Sequence, residues 1–519
     1  MFLLAAALRT IAALSRPILG MDEVSLISMA DKLLLGVSPT EITGTSPTAY
    51  GILYPLVTSF FGIMTRDLVV AGYITSVLFG SLMILPPYLF GKVMWNRKVG
   101  YSAAALVAVL PVLVDNGGLA GQQSIFAFWL GCGMFFGYRM QFTKRCLCGM
   151  LSGTCLGMAY LVDTSALYFV IILFAMLVII GLRQELASYA TKAAVQFLVT
   201  FLVIAAPNVA WMTYNNGSFT VFNRTPENLQ LAVDGLEPGT LEYEEAVYGL
   251  DGGGEVKLYA LQEDDGFWAT LVSRPWQLLK AVARADFDFY LRNAQSLVPV
   301  WLLPMFGLGL FGAVWTRREA LRYGFFLVML LPALVMPVLW PDGAFVLPFV
   351  VLLMVVTGKG WAYLEDWSAE SADELAGWQK ADPRHKAAVA RALAAVVLVP
   401  LAALSMWTVF RADHPTEFRE AGEWLGDNGG EGALVMSREP ATAWYAEGKQ
   451  VLLPYASVDE VVQYGRENEA GYLVVSRGLV DDLRPQLAAL LDGSAPPGLE
   501  EVYRSGEGTG SELVVYRIR

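Results

Sequence analysis

The stretch "ILGMDEVSLISMADKLLLG", Ile18 to Gly36, decides how the rest of the chain is read. An acidic pair, Asp22 and Glu23, comes directly after an apolar leader and opens a run in which Val24, Ile27, Leu34 and Leu35 recur at helical spacing. In the leader, Met1 to Leu19, Arg9 interrupts the apolar run and no small-x-small cleavage site precedes Asp22. The leader therefore reads as a first membrane helix rather than a secretory signal. The segment after it reads as an amphipathic helix along the outer membrane surface, with the acidic pair at its start and Lys32 near its end.

The composition supports a bilayer. Of the 519 residues, 55% are hydrophobic and 16% charged, against roughly 45 to 50% apolar in ordinary soluble domains. Crossing a hydrocarbon core of about 30 Å takes about 20 apolar residues. Such runs fall near residues 1–19, 68–91, 99–114, 121–138, 146–162, 164–182, 193–212, 296–315, 323–340, 343–358 and 389–409. The expected fold is thus a polytopic α-helical membrane protein with about 11 transmembrane helices.

Basic clusters orient it. Lys92, Arg97 and Lys98, then Arg139, Lys144 and Arg145, then Arg183 and Lys192, then Arg317, Arg318 and Arg322 fall in alternate connections, which face the cytoplasm. The opposite side holds the first loop, 20–67, with Asp22 and Glu23, then Asp115, Asp163 and Asp342. It also holds a long loop, 213–295, with eleven acids against the single Lys257 between Glu227 and Asp265. From Arg411 the chain turns polar, and the runs "GALVM", "QVLLP", "GYLVVS" and "SELVVYRI" alternate with helical stretches such as "PTEFREAGEWLGDN". Residues 1–410 are read as the transmembrane domain and 411–519 as a small extracytoplasmic α/β domain.

Several function classes drop out. A net charge of −12 is the wrong sign for a nucleic-acid surface. Cys132, Cys146, Cys148 and Cys155 have neither zinc-site nor disulfide-scaffold spacing. By this topology His385 and His414 lie on opposite sides of the last helix and form no common metal site. No calcium-loop spacing occurs in the acidic loop, so the reading favours no cofactor, with a divalent ion at its carboxylates the open alternative. Gly149, Gly153 and Gly157, four residues apart, read as the small-residue face of a packed membrane helix. Asn216 and Asn223 open N-glycosylation triplets on the outer side.

The acidic pair has two readings. In one, the carboxylates favour the helix N-terminus, an effect below about 1 kcal/mol. In the other, a carboxylate partly desolvated at an interface serves as a general base. A carboxylate in hydrocarbon costs at least about 2.5 kcal/mol, so Asp163 is a further candidate, the alternative being a helix cap in an outer turn. Asp115, before Gly117 and Gly118, is another, or part of a solvated turn.

Beyond the acidic pair, the "YP" element at Tyr54 and Pro55, the "WNRKVG" turn from Trp95 to Gly100 and the tail "EFREAGEWLGDNGGEGALVMSREPATAWYAEGKQVLLPYASVDEVVQYGRENEAGYLVVSRG" occur in a set order. Together these features resemble the bacterial dolichyl-phosphate-mannose-protein mannosyltransferase-like family, relatives of the aminoarabinose transferase in the GT-C superfamily. The resemblance implies a GT-C fold and transfer of a sugar, with inversion, from a polyprenyl-phosphate donor to an acceptor hydroxyl on a protein, lipid or glycan at the outer face of a bacterial inner membrane. It implies Asp22 as general base, with Glu23 sharing the proton or positioning the acceptor. A departing phosphate needs cationic partners, for which Lys32, Arg224 and Arg292 are outer-side candidates, the alternatives being interfacial snorkelling for Lys32 and a solvated loop arginine for Arg224; where relatives carry a basic residue near "AYLVDTSALY" this chain has Asp163. A transporter or flippase of lipid-linked sugars, or a noncatalytic membrane scaffold, are the other classes weighed.

Overall fold

Runs of Leu, Val, Ile, Phe and Ala with few charges become helices, since a helix satisfies its main-chain hydrogen bonds internally, as hydrocarbon requires. The structure, a computed structural model, describes residues 1–519 apart from 37–49, 144, 218, 223–224, 258–273, 340–343, 376–382, 413 and 494–495. Asp342, Asn223 and Arg224 lie outside the described residues. Two compact units emerge. The first gathers Met1–Ser15, Tyr50–Asn223 and Arg284–Ala412, and the second gathers Arg16–Ala49, Arg224–Ala283 and Asp413–Arg519.

Among the described residues five helices are long and apolar enough to cross a membrane: Leu68–Met94, Gln184–Asn216, Arg317–Val338, Leu347–Ser368 and Ala387–Arg411. Two bent pairs raise this to seven if each is one span, and four shorter apolar helices, Phe2–Leu14, Leu53–Thr65, Leu147–Tyr160 and Ala166–Gly181, accompany them. The protein is an integral membrane protein. Against the eleven runs read from hydropathy, the differences have local causes. The run 99–114 is two helices, Arg97–Val109 and Pro111–Gly117, bent by 59°, because Pro111 has no N–H to continue the ladder. The run 296–315 is bent by 79° between Pro275–Leu297 and Val300–Phe311, where Pro299 intervenes. Within the expected first loop, 53–65 is itself an apolar helix.

The break at Pro111 explains the arginine in the leader. Arg9 is fully buried, and its guanidinium donates to the carbonyls of Ala5, Val107 and Ala108 at 3.1 to 3.2 Å. Val107 is the carbonyl that a residue other than proline at 111 would have bonded. Ser405 donates to the next free carbonyl, Val109, at 2.6 Å. Gly117 leaves the room: a Cβ there would lie 2.7 Å from Arg9 Cδ and Nε. The helix carrying Gly149, Gly153 and Gly157 packs on the Ala187–Asn216 helix, and a Cβ on Gly153 would lie 2.2 Å from the Phe197 carbonyl oxygen. This is the small-residue face expected from the spacing.

In the second unit the tail forms a five-stranded sheet: β1 Leu434–Ser437, β2 Lys449–Leu452, β3 Tyr472–Ser476, β4 Leu499–Ser505 and β5 Leu513–Ile518. The order is β2-β1-β3-β5-β4. β1 pairs parallel with β2 and β3, whereas β5 runs antiparallel to β3 and β4. Four strands match the apolar runs read from the sequence. β4, "LEEVYRS", is an edge strand whose charges fit its exposure. Helix Val458–Glu467 turns Val461 and Val462 into a core with Met436, Leu473 and Val514.

A buried carboxylate pins the β4–β5 hairpin. Glu512 is 1% exposed and accepts from Arg477 and Arg504 at 2.5 Å and from the Gly508 N–H at 3.2 Å. Burial alone pushes this carboxyl up, but the Arg477, Gly508 and Arg504 bonds outweigh it and hold it below the ordinary carboxylate range. A depressed acid contributes stability that is present above the unfolded pKa and lost as pH falls through the folded one. The thermal stability of the second unit is therefore expected to fall as pH drops below about 4.5, and Glu512→Gln flattens that slope. An unchanged slope in the variant contradicts this assignment.

Candidate functional site

In the second unit the opening stretch folds as the helix Met21–Leu34. Glu23 is buried, and its Oε2 accepts the Gly20 N–H at 2.7 Å, the acidic half of a capping arrangement at a glycine that has no side chain to return the bond. One member of the acidic pair is thus engaged in starting the helix. Asp22, its neighbour, is half-buried in the first turn. Of the apolar stripe, Val24 and Ile27, with Leu26, Met29 and Ala30, are at most 1% exposed and so covered by protein rather than by lipid, whereas Leu34 and Leu35 at the end of the helix are 39% and 69% exposed. Lys32 is half-buried in the last turn. Ten residues of helix separate it from Asp22 by about 15 Å along the axis, so the two lie at opposite ends of the helix.

The segment leading into this helix is tied to the tail domain. Tyr445 Oη accepts the Leu19 N–H at 3.2 Å, and Arg419 donates to the Pro17 carbonyl at 2.9 Å. Ile18, Leu19 and Gly20 form one wall of a crevice of about 490 Å³, with Phe418 on another side. The carboxyl ends of β1 and β3 also line it, at Ser437, Arg438, Glu439 and Ser476. Burial pushes the Glu439 carboxyl above its ordinary range; Arg438 opposes this, and the charges of Asp22 and Glu244 add to it. The charge of Asp22 thus reaches a carboxyl remote in sequence, Glu439.

Beneath the crevice lies an ion cluster that no local pattern announces. Glu244, from the long acidic loop, is 1% exposed and takes Arg438 at 3.2 Å and Arg484 at 2.5 Å. Both guanidiniums also stack near the Tyr248 ring, at 4.2 and 5.6 Å from its centroid. The loop continues into the tail domain through the Tyr455 N–H, which donates to the Tyr248 carbonyl at 2.7 Å.

The first unit holds a different kind of cavity. A groove of about 770 Å³, almost wholly apolar, is lined by Tyr160, Phe201, Ala205, Ala206, Thr213 and Val221, among others. At one side Tyr160 donates to the Val221 carbonyl at 2.6 Å and its ring lies edge-on to Phe201. Asp163, three residues on, is buried, and its Oδ1 accepts the Ser165 N–H at 2.8 Å, just before the Ala166–Gly181 helix. Asp115 is half-buried in Pro111–Gly117. Tyr54 is fully buried and donates to the Gly72 carbonyl at 3.0 Å, holding two helices together. Arg292 is exposed on Pro275–Leu297. Among the described residues no group of three or more His, Cys, Asp or Glu is placed to hold a metal ion.

Solved structures align with nearly the whole chain. An oligosaccharyltransferase from Archaeoglobus fulgidus, in its apo form, matches 92% of this chain and 70% of its own at a TM-score of 0.60 and 15% identity. ArnT from Cupriavidus metallidurans, bound to undecaprenyl phosphate, matches 99% of this chain and 96% of its own at a TM-score of 0.57 and 11% identity. The chain shares the fold of these two solved transferases. The archaeal enzyme AglB, solved with an inhibitory peptide and a dolichol-phosphate, aligns with this fold over 97% of the present chain and 73% of its own, at a TM-score of 0.60 and 13% identity. No protein-family model and no curated protein matches the sequence. At such identities the fold is what is shared, and chemistry has to be argued from residues.

Proposed function

We propose that the protein is a membrane glycosyltransferase that moves a sugar from a polyprenyl-phosphate donor to an acceptor hydroxyl at the extracytoplasmic face. The observation that carries this reading is the apolar groove within a chain whose fold, end to end, is shared with ArnT solved on undecaprenyl phosphate. A groove with this lining suits an isoprenoid tail, and a tail held in the membrane presents its phosphate at the interface.

In the reaction the acceptor oxygen attacks the anomeric carbon and its proton passes to the Asp22 carboxylate. The bond from anomeric carbon to phosphate oxygen breaks, prenyl phosphate leaves, and the configuration inverts. The role of Glu23 is to fix the helix that carries Asp22, by its bond to Gly20. Lys32, Arg224 and Arg292 remain the proposed cations for the departing phosphate, with Lys32 acting at a distance from the proton transfer. Asp115, Asp163 and Tyr54 are assigned to holding the helices around the donor.

Ala206 is exposed and lines the groove, so Ala206→Trp fills the lipid path without touching the polar groups. The expected result is a rise of about tenfold or more in the KM for a prenyl-phosphate sugar, corresponding to about 1.4 kcal/mol or more of lost tail binding, with kcat changed less. An unaltered KM in a variant of wild-type yield and stability removes the groove from the donor path.

A further inference from the structure

The tail domain carries a crevice whose position is dictated by topology. From β1 the chain goes to β2 on one side, then crosses to β3 on the other, so the strand order reverses between β1 and β3. In open sheets with parallel strands, ligands bind outside the carboxyl ends at such a point. Here those ends are Ser437 and Ser476, and both line the cavity. Its volume, about 490 Å³, is within the usual range for small-molecule sites of about 300 to 1,000 Å³.

The lining narrows the chemistry. Glu417, Glu439 and Asp482 supply carboxylates, and Arg438 is the single cationic side chain among the described lining residues. Arg438 is already paired with Glu244, so phosphates and other anions are disfavoured. An extended peptide would need a sheet edge to continue the ladder, and the crevice opens at strand ends instead. Hydroxyl groups, which both donate and accept, match this set: carboxylates take their protons and a guanidinium N–H bonds their oxygens. Arg438 Nη1 is buried and has no hydrogen-bond partner among the described residues. Phe418 offers an apolar face for the carbon side of a ring.

We propose that this crevice is a saccharide-binding site, neutral or amino sugars being the occupants, with Glu439, Asp482 and Arg438 as its polar contacts, and that the saccharide is the acceptor. This identification rests on the transferase reading; saccharide binding itself is read separately. The site would make the acceptor a glycan rather than a protein side chain or a lipid.

The test uses the full-length protein in detergent or nanodiscs. Titrate it with a panel of mono- to trisaccharides, methyl mannoside, maltotriose, chitobiose and glucosamine among them, and in parallel with a serine- and threonine-containing peptide and with inorganic phosphate. At least one saccharide is expected to bind, and Glu439→Gln to weaken it by about ten- to hundredfold, the worth of a hydrogen bond to a charged group. Gly478 lines the same crevice, and a Cβ there meets nothing within 4 Å, so Gly478→Tyr fills it without crowding the fold and is expected to abolish binding. Absence of saccharide binding across the panel, binding unaffected by both variants, or Glu439-dependent binding of the peptide or phosphate instead overturns the inference. Donor turnover by the wild type is read on the same samples. Turnover without saccharide binding overturns the crevice and leaves the transferase, whereas Glu439-dependent saccharide binding without turnover of any donor supports the site and overturns the transferase reading.

Discussion

Asp22→Asn is expected to leave a folded, membrane-inserted protein that has lost sugar transfer by about two to four orders of magnitude in kcat, the usual worth of a positioned general base. The change is isosteric, and Asp22 is half-buried rather than sealed in a core, so stability should move little. The KM for the donor should stay close to wild type, since the side chain acts on the acceptor proton. Glu23→Gln is the informative comparison. Its carboxylate bonds Gly20, so losing the charge should lower stability by about 1 kcal/mol while transfer persists. Equal losses in both variants, or retained transfer in Asp22→Asn, contradict the assignment of the base.

The second large effect is on stability. Glu244→Ala removes the only carboxylate that the described ion pairs give to Arg484, which is itself fully buried, and it also strips Arg438 of its partner. Breaking a buried pair on one side costs about 3 to 5 kcal/mol, because an uncompensated charge stays in a poorly solvated site. A double change, Glu244→Leu with Arg484→Met, should recover most of that loss, since an apolar replacement of both partners is often neutral. Proteolysis of the second unit against temperature measures both. A Glu244→Ala protein as resistant as wild type would mean that the acidic loop does not brace the tail domain.

The spans and the tail sheet could be read in advance because each rests on a local pattern: unbroken apolar runs, and short β-branched runs between turns. Pro111 shows where that reading stopped short. The run 99–114 is apolar throughout, and only the missing N–H at one residue makes it two helices, with Arg9, ninety-eight residues earlier than Val107, repairing the break. β4 escaped because its charges suit an edge. The site was half legible. The acidic pair stood out, but the sequence could not show that Glu23 is engaged as a cap or that Asp22 bears on Glu439. The charge of residue 22 reaches residue 439 only through the fold. One signal was available: "SREP" comes directly after a strand-like run, and residues just past the carboxyl end of a strand are where α/β domains place binding groups.

The most direct test of the central claim is to incubate the purified protein in nanodiscs with a panel of radiolabelled polyprenyl-phosphate sugars and candidate acceptors, and to monitor free prenyl phosphate and the anomeric configuration of the product. The account predicts that at least one donor is consumed, that prenyl phosphate is released in step with product, and that the product is inverted. Movement of an intact lipid-linked sugar across the bilayer without cleavage, or a product with retained configuration, would contradict it.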